Sequence, residues 1–347
     1  MKFNRYTLGE LVSIKYGKNQ KNVLSESGTY PIYGTGGLMG YATEPLYTKP
    51  SVLIGRKGTI DKVKFVDHPF WTVDTLFYTI VNEDIVIPKY LYYRMSMMDL
   101  SAYNEGTTIP SLRTETLNRL EFDIPSIEEQ QKILSYLEPI DDKIALNREI
   151  NNNLLEQASV LFQEICVDGA SLDWTEGVLG DIADITSGKR PPMRSDNMTD
   201  EARIPLVGAA SIMGYTSEAN HSDKILVTGR VGTHGVVQRF NYPCWTSDNT
   251  LIITSPHYEF VYQILQRVDY KAMNRGSTQP LITQGDLKKV TILIPDTETL
   301  QRFESLVGAL MNRYESNIFE NEKLAETRNA LLPKLMSGEL DVSAVEI

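Results

Sequence analysis

The chain is written twice. YTLGELVSIKYGK (6–18) returns as GVLGDIADITSGK (177–189), YPIYGTGGLMGYATE (30–44) as IPLVGAASIMGYTSE (204–218), and GRKGTIDKV (55–63) as GRVGTHGVV (229–237). PFWTVD (69–74) returns as PCWTSD (243–248), and NEGTTIPSL (104–112) as NRGSTQPLI (274–282). Five blocks in constant order, at offsets of 170 to 174, mark a tandem duplication with a unit of about half the 347 residues. Any fold must therefore consist of two similar halves.

Each half has a globular part and then a long helix. The globular parts read as short strands punctuated by Gly and Pro: SVLIG, WTVDTLFYTI and LEFDIP in the first, ILVTG, NTLIITS and KVTILIP in the second. One helical stretch interrupts each, IPKYLYYRMSMMDL or EFVYQILQRVDYKAM. The expected class is α+β, with sheet topology left open. The expected division is 1–126 and 171–295 for the globular parts, 127–170 for the first helix, and 296–347 for the second helix and tail.

The helices carry the sharper signals. Ser126 and Glu129 form a capping box after Pro125, and Asp296 or Thr297 can cap the second copy. Ile133, Leu137, Ile140, Ile144, Asn147, Asn151, Leu154, Ala158 and Leu161 fall at spacings of four and three. A second series from Phe303 to Leu331, with Asn317 and Asn321 at its centre, repeats the pattern at an offset of 170. Two readings are open: a mutual coiled coil, or two amphipathic helices each packed on its own domain. The polar centre of the seam favours mutual antiparallel pairing, with Asn147 meeting Asn317 near a pseudo-dyad and the four asparagines fixing register. Pro139, and Gly308 near the equivalent point, predict a kink or break in both helices. At about 1.5 Å per residue, helices of roughly 35–39 residues span some 50–58 Å, the length of a ruler holding two domains apart.

Charge separates these parts. The net charge is −11, yet residues 1–126 hold 14 Lys/Arg against 13 Asp/Glu, and 171–295 hold 12 against 13. The acidity lies in 127–170 and 296–347. A neutral domain can present a basic face, so nucleic acid is not excluded as a partner. Cys166 and Cys244 form no CxxC, and no apolar run is long enough to cross a membrane. The N-terminus has no signal-peptide core. The expected setting is a reducing cytoplasm.

Catalytic motifs do not appear. RPPM (190–193) lacks the leading Asn/Asp and the aromatic of an amino-methyltransferase turn. His68, His221, His234 and His257 show no ligand spacing, and there is no P-loop. The glycines of YPIYGTGGLMGYATEP look at first like a cofactor loop. The second copy keeps Gly208 and Gly214 but has Ala210 and Ser211 for Gly36 and Gly37, which points to a structural corner. No cofactor or metal is expected.

The duplicated Pro-x-x-Gly…Met-Gly-Tyr, Gly-Arg-x-Gly-Thr and Trp-Thr-x-Asp blocks, with the terminal LLPKLMSGEL (331–340), resemble the specificity subunit of type I restriction–modification systems. The resemblance covers essentially the whole chain. It implies two target recognition domains, 1–126 and 171–295, each reading half of a split site in double-stranded DNA. It also implies helices that set the gap and dock two methyltransferase subunits, with restriction and translocation subunits joining for cleavage. A silent or decoy subunit, and a catalytic protein with an unrecognised cofactor site, are the alternatives.

Bases are read by Arg/Lys forks and Asn/Gln amides, phosphates by cations, hydroxyls and backbone amides. In the first domain these criteria select Lys15, Lys18, Lys21, Arg56, Lys57, Thr107, Thr108 and Arg113. In the second they select Lys189, Arg190, Arg194, Arg230, Arg239, Arg275, Ser277, Thr278 and Gln279. For each single cation the competing reading is a solvated surface charge. Arg56/Arg230 and Thr59/Thr233 recur, which suits phosphate contact or turn-building. SGKRPPMRSDN (187–197) and YGKNQKNVLSE (16–26) diverge, which suits specificity. Asp74 and Asp248 follow the tryptophans at fixed spacing, and a structural hydrogen bond is preferred there to a metal site.

Overall fold

In the first copy the apolar runs become nine strands: β1 (Asn4–Thr7), β2 (Val12–Tyr16), β3 (Tyr30–Gly34), β4 (Gly37–Ala42), β5 (Ser51–Gly55), β6 (Val63–Val66), β7 (Trp71–Thr72), β8 (Leu76–Val81) and β9 (Glu121–Ile124). Between them lie α1 (Leu8–Leu11), α2 (Pro88–Ser96) and α3 (Thr114–Asn118), and α4 (Ile127–Phe162) follows. The second copy supplies β10 (Thr175–Val178), β11 (Asp184–Ser187), β12 (Ile204–Val207), β13 (Ile212–Thr216), β14 (Ile225–Gly229), β15 (Gln238–Phe240), β16 (Trp245–Thr246), β17 (Thr250–Thr254) and β18 (Thr291–Ile294). Its helices are α5 (Tyr258–Arg267), α6 (Gln284–Lys288) and α7 (Thr297–Ser337). This computed structural model describes residues 1–275 and 281–342.

The two copies have the same topology. A four-stranded antiparallel sheet runs β2-β8-β5-β6 in the first and β11-β17-β14-β15 in the second. A three-stranded sheet runs β4-β3-β7 or β13-β12-β16, antiparallel at the hairpin and parallel at the short third strand. A ribbon, β1-β9 or β10-β18, brings the end of each globular part back to its start. The runs SVLIG of β5 and ILVTG of β14 are buried along their full length, as central strands with both faces covered should be.

The glycine cluster is a corner, as the repeat implies. Gly40 and Gly214 hold φ of +153° and +146°, beside the register shift between β3 and β4 and between β12 and β13. Gly34 and Gly208 lie under Met39 and Met213, whose sulfur atoms would stand 2.4 and 3.0 Å from an added Cβ. Nothing lies within 4 Å of the Cβ position of Gly36.

The chain forms two compact units, Met1–Leu146 with Glu320–Ile347, and Asn147–Phe319, so each long helix contributes to both. In the first unit α2 packs its Tyr90, Leu91 and Met95 with Ile133 and Leu137 of α4 and Leu332, Leu335 and Met336 of α7. In the second, α5 packs Phe260, Val261 and Leu265 with Ala158 and Phe162 of α4 and Phe303 and Val307 of α7. Both caps form: Glu129 N–H donates to Ser126 Oγ (3.3 Å), Ser126 N–H to Glu129 Oε2 (3.2 Å), and Thr299 N–H to Asp296 Oδ1 (2.8 Å).

The helices pair antiparallel within each unit. In the first, Arg328 of α7 donates to Asp141 of α4 (2.7 Å) and Asn321 Nδ2 to the Ile144 carbonyl (3.5 Å). In the second, Asn317 Nδ2 donates to Asn151 Oδ1 (2.8 Å) and Asn151 Nδ2 to the Tyr314 carbonyl (3.1 Å). Asn147 and Asn317 are fully buried. The break expected at Pro139 and Gly308 does not occur: α4 and α7 run through both positions as single helices of 36 and 41 residues. A proline costs roughly 3 kcal/mol in a helix, and the buried Leu137 and Ile144 flanking it offset that loss.

Candidate nucleic-acid interface

Three segments of each domain are stitched together, and they carry most of the candidate cations. The first is the Gly-Lys turn that ends β2 and β11. A Cβ on Gly17 would stand 2.0 Å from the Val73 carbonyl oxygen, and one on Gly188 2.0 Å from that of Ser247, so only glycine fits. The next residue is held at both backbone groups. Lys18 N–H donates to the Thr72 carbonyl (2.8 Å) while its own carbonyl accepts the Trp71 indole N–H (2.9 Å). Lys189 does the same with Thr246 (3.0 Å) and Trp245 (2.8 Å). The backbone is fixed and the lysine side chain is left exposed in both copies.

The second segment is Gly-Arg-x-Gly-Thr. Cβ atoms on Gly55 and Gly229 would stand 2.1 and 1.8 Å from the carbonyl oxygens of Thr59 and Thr233, and Gly58 and Gly232 hold φ of +88° and +84°. Arg56 N–H donates to the Thr75 carbonyl (2.8 Å), and its Nη1 donates to the Asp74 carbonyl (2.8 Å). Arg230 repeats this with the Asn249 carbonyl (2.8 Å) and, more loosely, that of Asp248 (3.5 Å). The Trp-Thr-x-Asp block thus serves as a scaffold, clamping the Gly-Lys turn with its indole and receiving the arginine with its backbone.

The third segment begins at Asn104 or Asn274. Asn104 Oδ1 accepts from Gly106 and Ser111 N–H (2.9 Å each), and Asn274 Oδ1 accepts from Leu281 N–H (2.9 Å). Leu112 N–H donates to the Arg56 carbonyl (3.0 Å) and Ile282 N–H to that of Arg230 (2.9 Å), which seams this loop to the second segment.

Lys18, Arg56, Lys57, Thr107, Thr108 and Arg113 are thereby brought onto connected segments of the first domain, and Lys189, Arg230 and Arg275 onto those of the second. All are exposed except Arg56 and Arg230, which are half-buried. Arg113 is paired with Glu105 (3.1 Å) and Arg275 with Asp286. The Arg56 guanidinium lies 5.1 Å from the centre of the Tyr16 ring. Lys15 is exposed on β2 opposite Tyr78, and Lys21 is exposed in an Asn19-capped turn. Arg190 and Arg194 are exposed on the divergent segment, Arg194 with Asp196 at 3.1 Å. Ser277, Thr278 and Gln279 lie outside the described residues.

Arg239 is corrected. Its side chain is only 6% exposed, forked onto Glu259 (2.6 and 2.8 Å) and bonded to Glu315 (3.0 Å). Burial opposes its charge, and the two carboxylates outweigh burial and raise its pKa. A cation so enclosed ties β15 to α5 and α7 and has no surface to offer DNA. Sequence reasoning missed the indole clamps, the Tyr16 shelf, and the loop-closing Asn104 and Asn274. The two asparagines had a usable signal, since each opens a repeated glycine-containing block.

Residues 2–156 and 171–325 each match the family described as the type I restriction modification DNA specificity domain. The chain is 28% identical to the type I restriction enzyme MjaIX specificity subunit of Methanocaldococcus jannaschii, over 86% of this chain and 79% of that one. It is 23% identical to the HindI specificity subunit of Haemophilus influenzae, over 80% and 83%. Its fold resembles the crystal structure of the type I restriction–modification S subunit from M. genitalium, with a TM-score of 0.64 at 18% identity and 96% of each chain covered. With both copies matched, the chain belongs to the type I restriction–modification DNA specificity family.

Proposed function

We propose that the chain is the DNA-reading subunit of a type I restriction–modification complex. Residues 1–126 and 171–295 each recognise one half of a split site in double-stranded DNA. The acidic helical segments 127–170 and 296–347 dock two methyltransferase subunits, and restriction and translocation subunits complete the assembly. The chain itself carries no catalytic step.

The observation that carries this reading is the pairing of one repeated frame with one divergent segment. Lys18/Lys189 and Arg56/Arg230 stand at equivalent points of the same stitched frame. Any DNA sequence presents phosphates, so groups common to both copies suit backbone contact. Beyond their shared Gly-Lys, the segments 16–26 and 187–197 differ in sequence and run on from that frame, and base readout belongs mainly with what differs.

The test is the methylated sequence. Co-expressed with its methyltransferase, the chain is expected to direct methylation to a bipartite motif with a fixed gap. Exchanging residues 171–295 for those of another family member should change one half of the motif and leave the other intact. Inserting one heptad into each long helix should change the gap and neither half. Methylation of DNA by the purified chain alone would overturn the reading.

A further inference from the structure

The divergent segment of the second domain closes over a recess of about 500 Å³. Leu206 and Met213 join Pro191 and Met193 in its apolar part, Arg190 and Arg194 enter from the divergent segment, and Ser247, Asp248 and Asn249 enter from the turn between β16 and β17. Resting on the DNA-reading function proposed above, we infer that this recess reads a G·C base pair: the Arg190 guanidinium donates to guanine O6 and N7, and the Asp248 carboxylate accepts from the cytosine amino group.

Four observations favour this pair of residues. Arg190 makes no ion pair among the described residues, whereas Arg194 is engaged by Asp196. Its backbone is set on one side by the clamped Lys189 and on the other by Pro191 and Pro192, so the point from which the fork reaches out is fixed before DNA arrives. The Asp248 carbonyl accepts from Arg230 at 3.5 Å, a loose contact, and its carboxylate has no partner among the described residues. The Ser247 hydroxyl, 1% exposed and lining the same recess, has no hydrogen-bond partner among the described residues either. A fork of donors beside an acceptor matches guanine opposite cytosine in the major groove. The carboxylate would repel the thymine O4 of an A·T pair.

The first domain keeps the carboxylate, as Asp74, but lacks the donor fork. Asn19 stands where Arg190 does, and its side-chain oxygen is taken by Lys21 N–H. Val73 replaces Ser247, and Leu24 replaces Arg194 at the sheet edge marked by the bridges Leu24–Ala42 and Ser195–Tyr215. The inference is therefore specific to the half-site read by residues 171–295.

The test uses the full chain in complex with its methyltransferase. In the wild type, the half-motif that follows residues 171–295 on domain exchange must contain a required G·C pair. R190A is expected to relax that position alone, with the other half-motif retained as an internal control of folding. In binding titrations on duplexes with A·T at that position, discrimination of about ten- to a hundredfold should fall to near one. If R190A directs no methylation, R190K decides by the same titration. It keeps the charge and loses the fork, so a flattened preference supports the assignment and an unchanged one overturns it. A required second half without G·C, or R190A and D248N variants with the wild-type motif, would also overturn it. A wild-type complex that methylates no bipartite motif would instead sink the functional reading itself.

Discussion

The two domains share a frame and differ in how they brace it. At the edge of the four-stranded sheet, β6 carries Phe65 where β15 carries Arg239, and the facing helix carries Lys89 where the other carries Glu259. In the first domain the Lys89 ammonium lies 4.7 Å from the centre of the Phe65 ring. In the second the same place holds a buried guanidinium between two carboxylates. Position is preserved while chemistry is exchanged. The frame constrains shape, and any pair that fills the site without leaving a bare charge will serve.

That equivalence can be broken most severely on the charged side. R239A leaves Glu259 buried without its cation, and removing one partner of a buried ion pair costs about 3–5 kcal/mol. K89M, which deletes a half-exposed cation–π contact, should cost about 0.5–1 kcal/mol. Thermal or urea unfolding of each variant measures the contrast. The double variant R239F/E259K imports the first domain's solution and should lose less stability than R239F alone. An additive double would mean the two sites are not interchangeable.

The sequence made half of this readable. Repetition exposed the two domains and their fixed blocks, and local spacing exposed the helix caps, because Ser126 and Asp296 act on backbone three residues away. Contacts across long separations left no such mark. Arg239 looked like a surface cation because its partners lie 20 and 76 residues away. The Trp71 clamp reaches a carbonyl 53 residues upstream, so a repeated tryptophan could be seen without its purpose. At Pro139, local propensity predicted an interruption that packing on both sides prevents.

The shared frame makes a prediction of intermediate size. If Lys18 and Lys189 each contact one phosphate, K18A and K189A should weaken binding equally across DNA sequences. Each should also lower the slope of log K against log salt by about 0.9. Fluorescence anisotropy at several salt concentrations reads this directly. An effect confined to one sequence, or to one of the two lysines, would show that the copies use equivalent residues differently.

The smallest effect separates the two helix caps by pH. Ser126 caps α4 with a hydroxyl that does not titrate near neutrality, and S126A should cost about 1 kcal/mol at any pH where the protein is folded. Asp296 caps α7 with a carboxylate. The Thr299 N–H, and then the Thr299 hydroxyl, lower its pKa below the ordinary 3.8. A carboxyl group whose pKa is lower in the folded state contributes stability above its unfolded pKa, and that contribution fades as pH falls through the folded value. The stability difference between wild type and D296A should therefore hold steady from neutrality to about pH 4 and shrink below it, while the S126A difference stays constant. Unfolding curves at pH 7, 5 and 3 compare them. A D296A difference that persists undiminished at the lowest pH would mean the cap works through shape, with its charge contributing nothing.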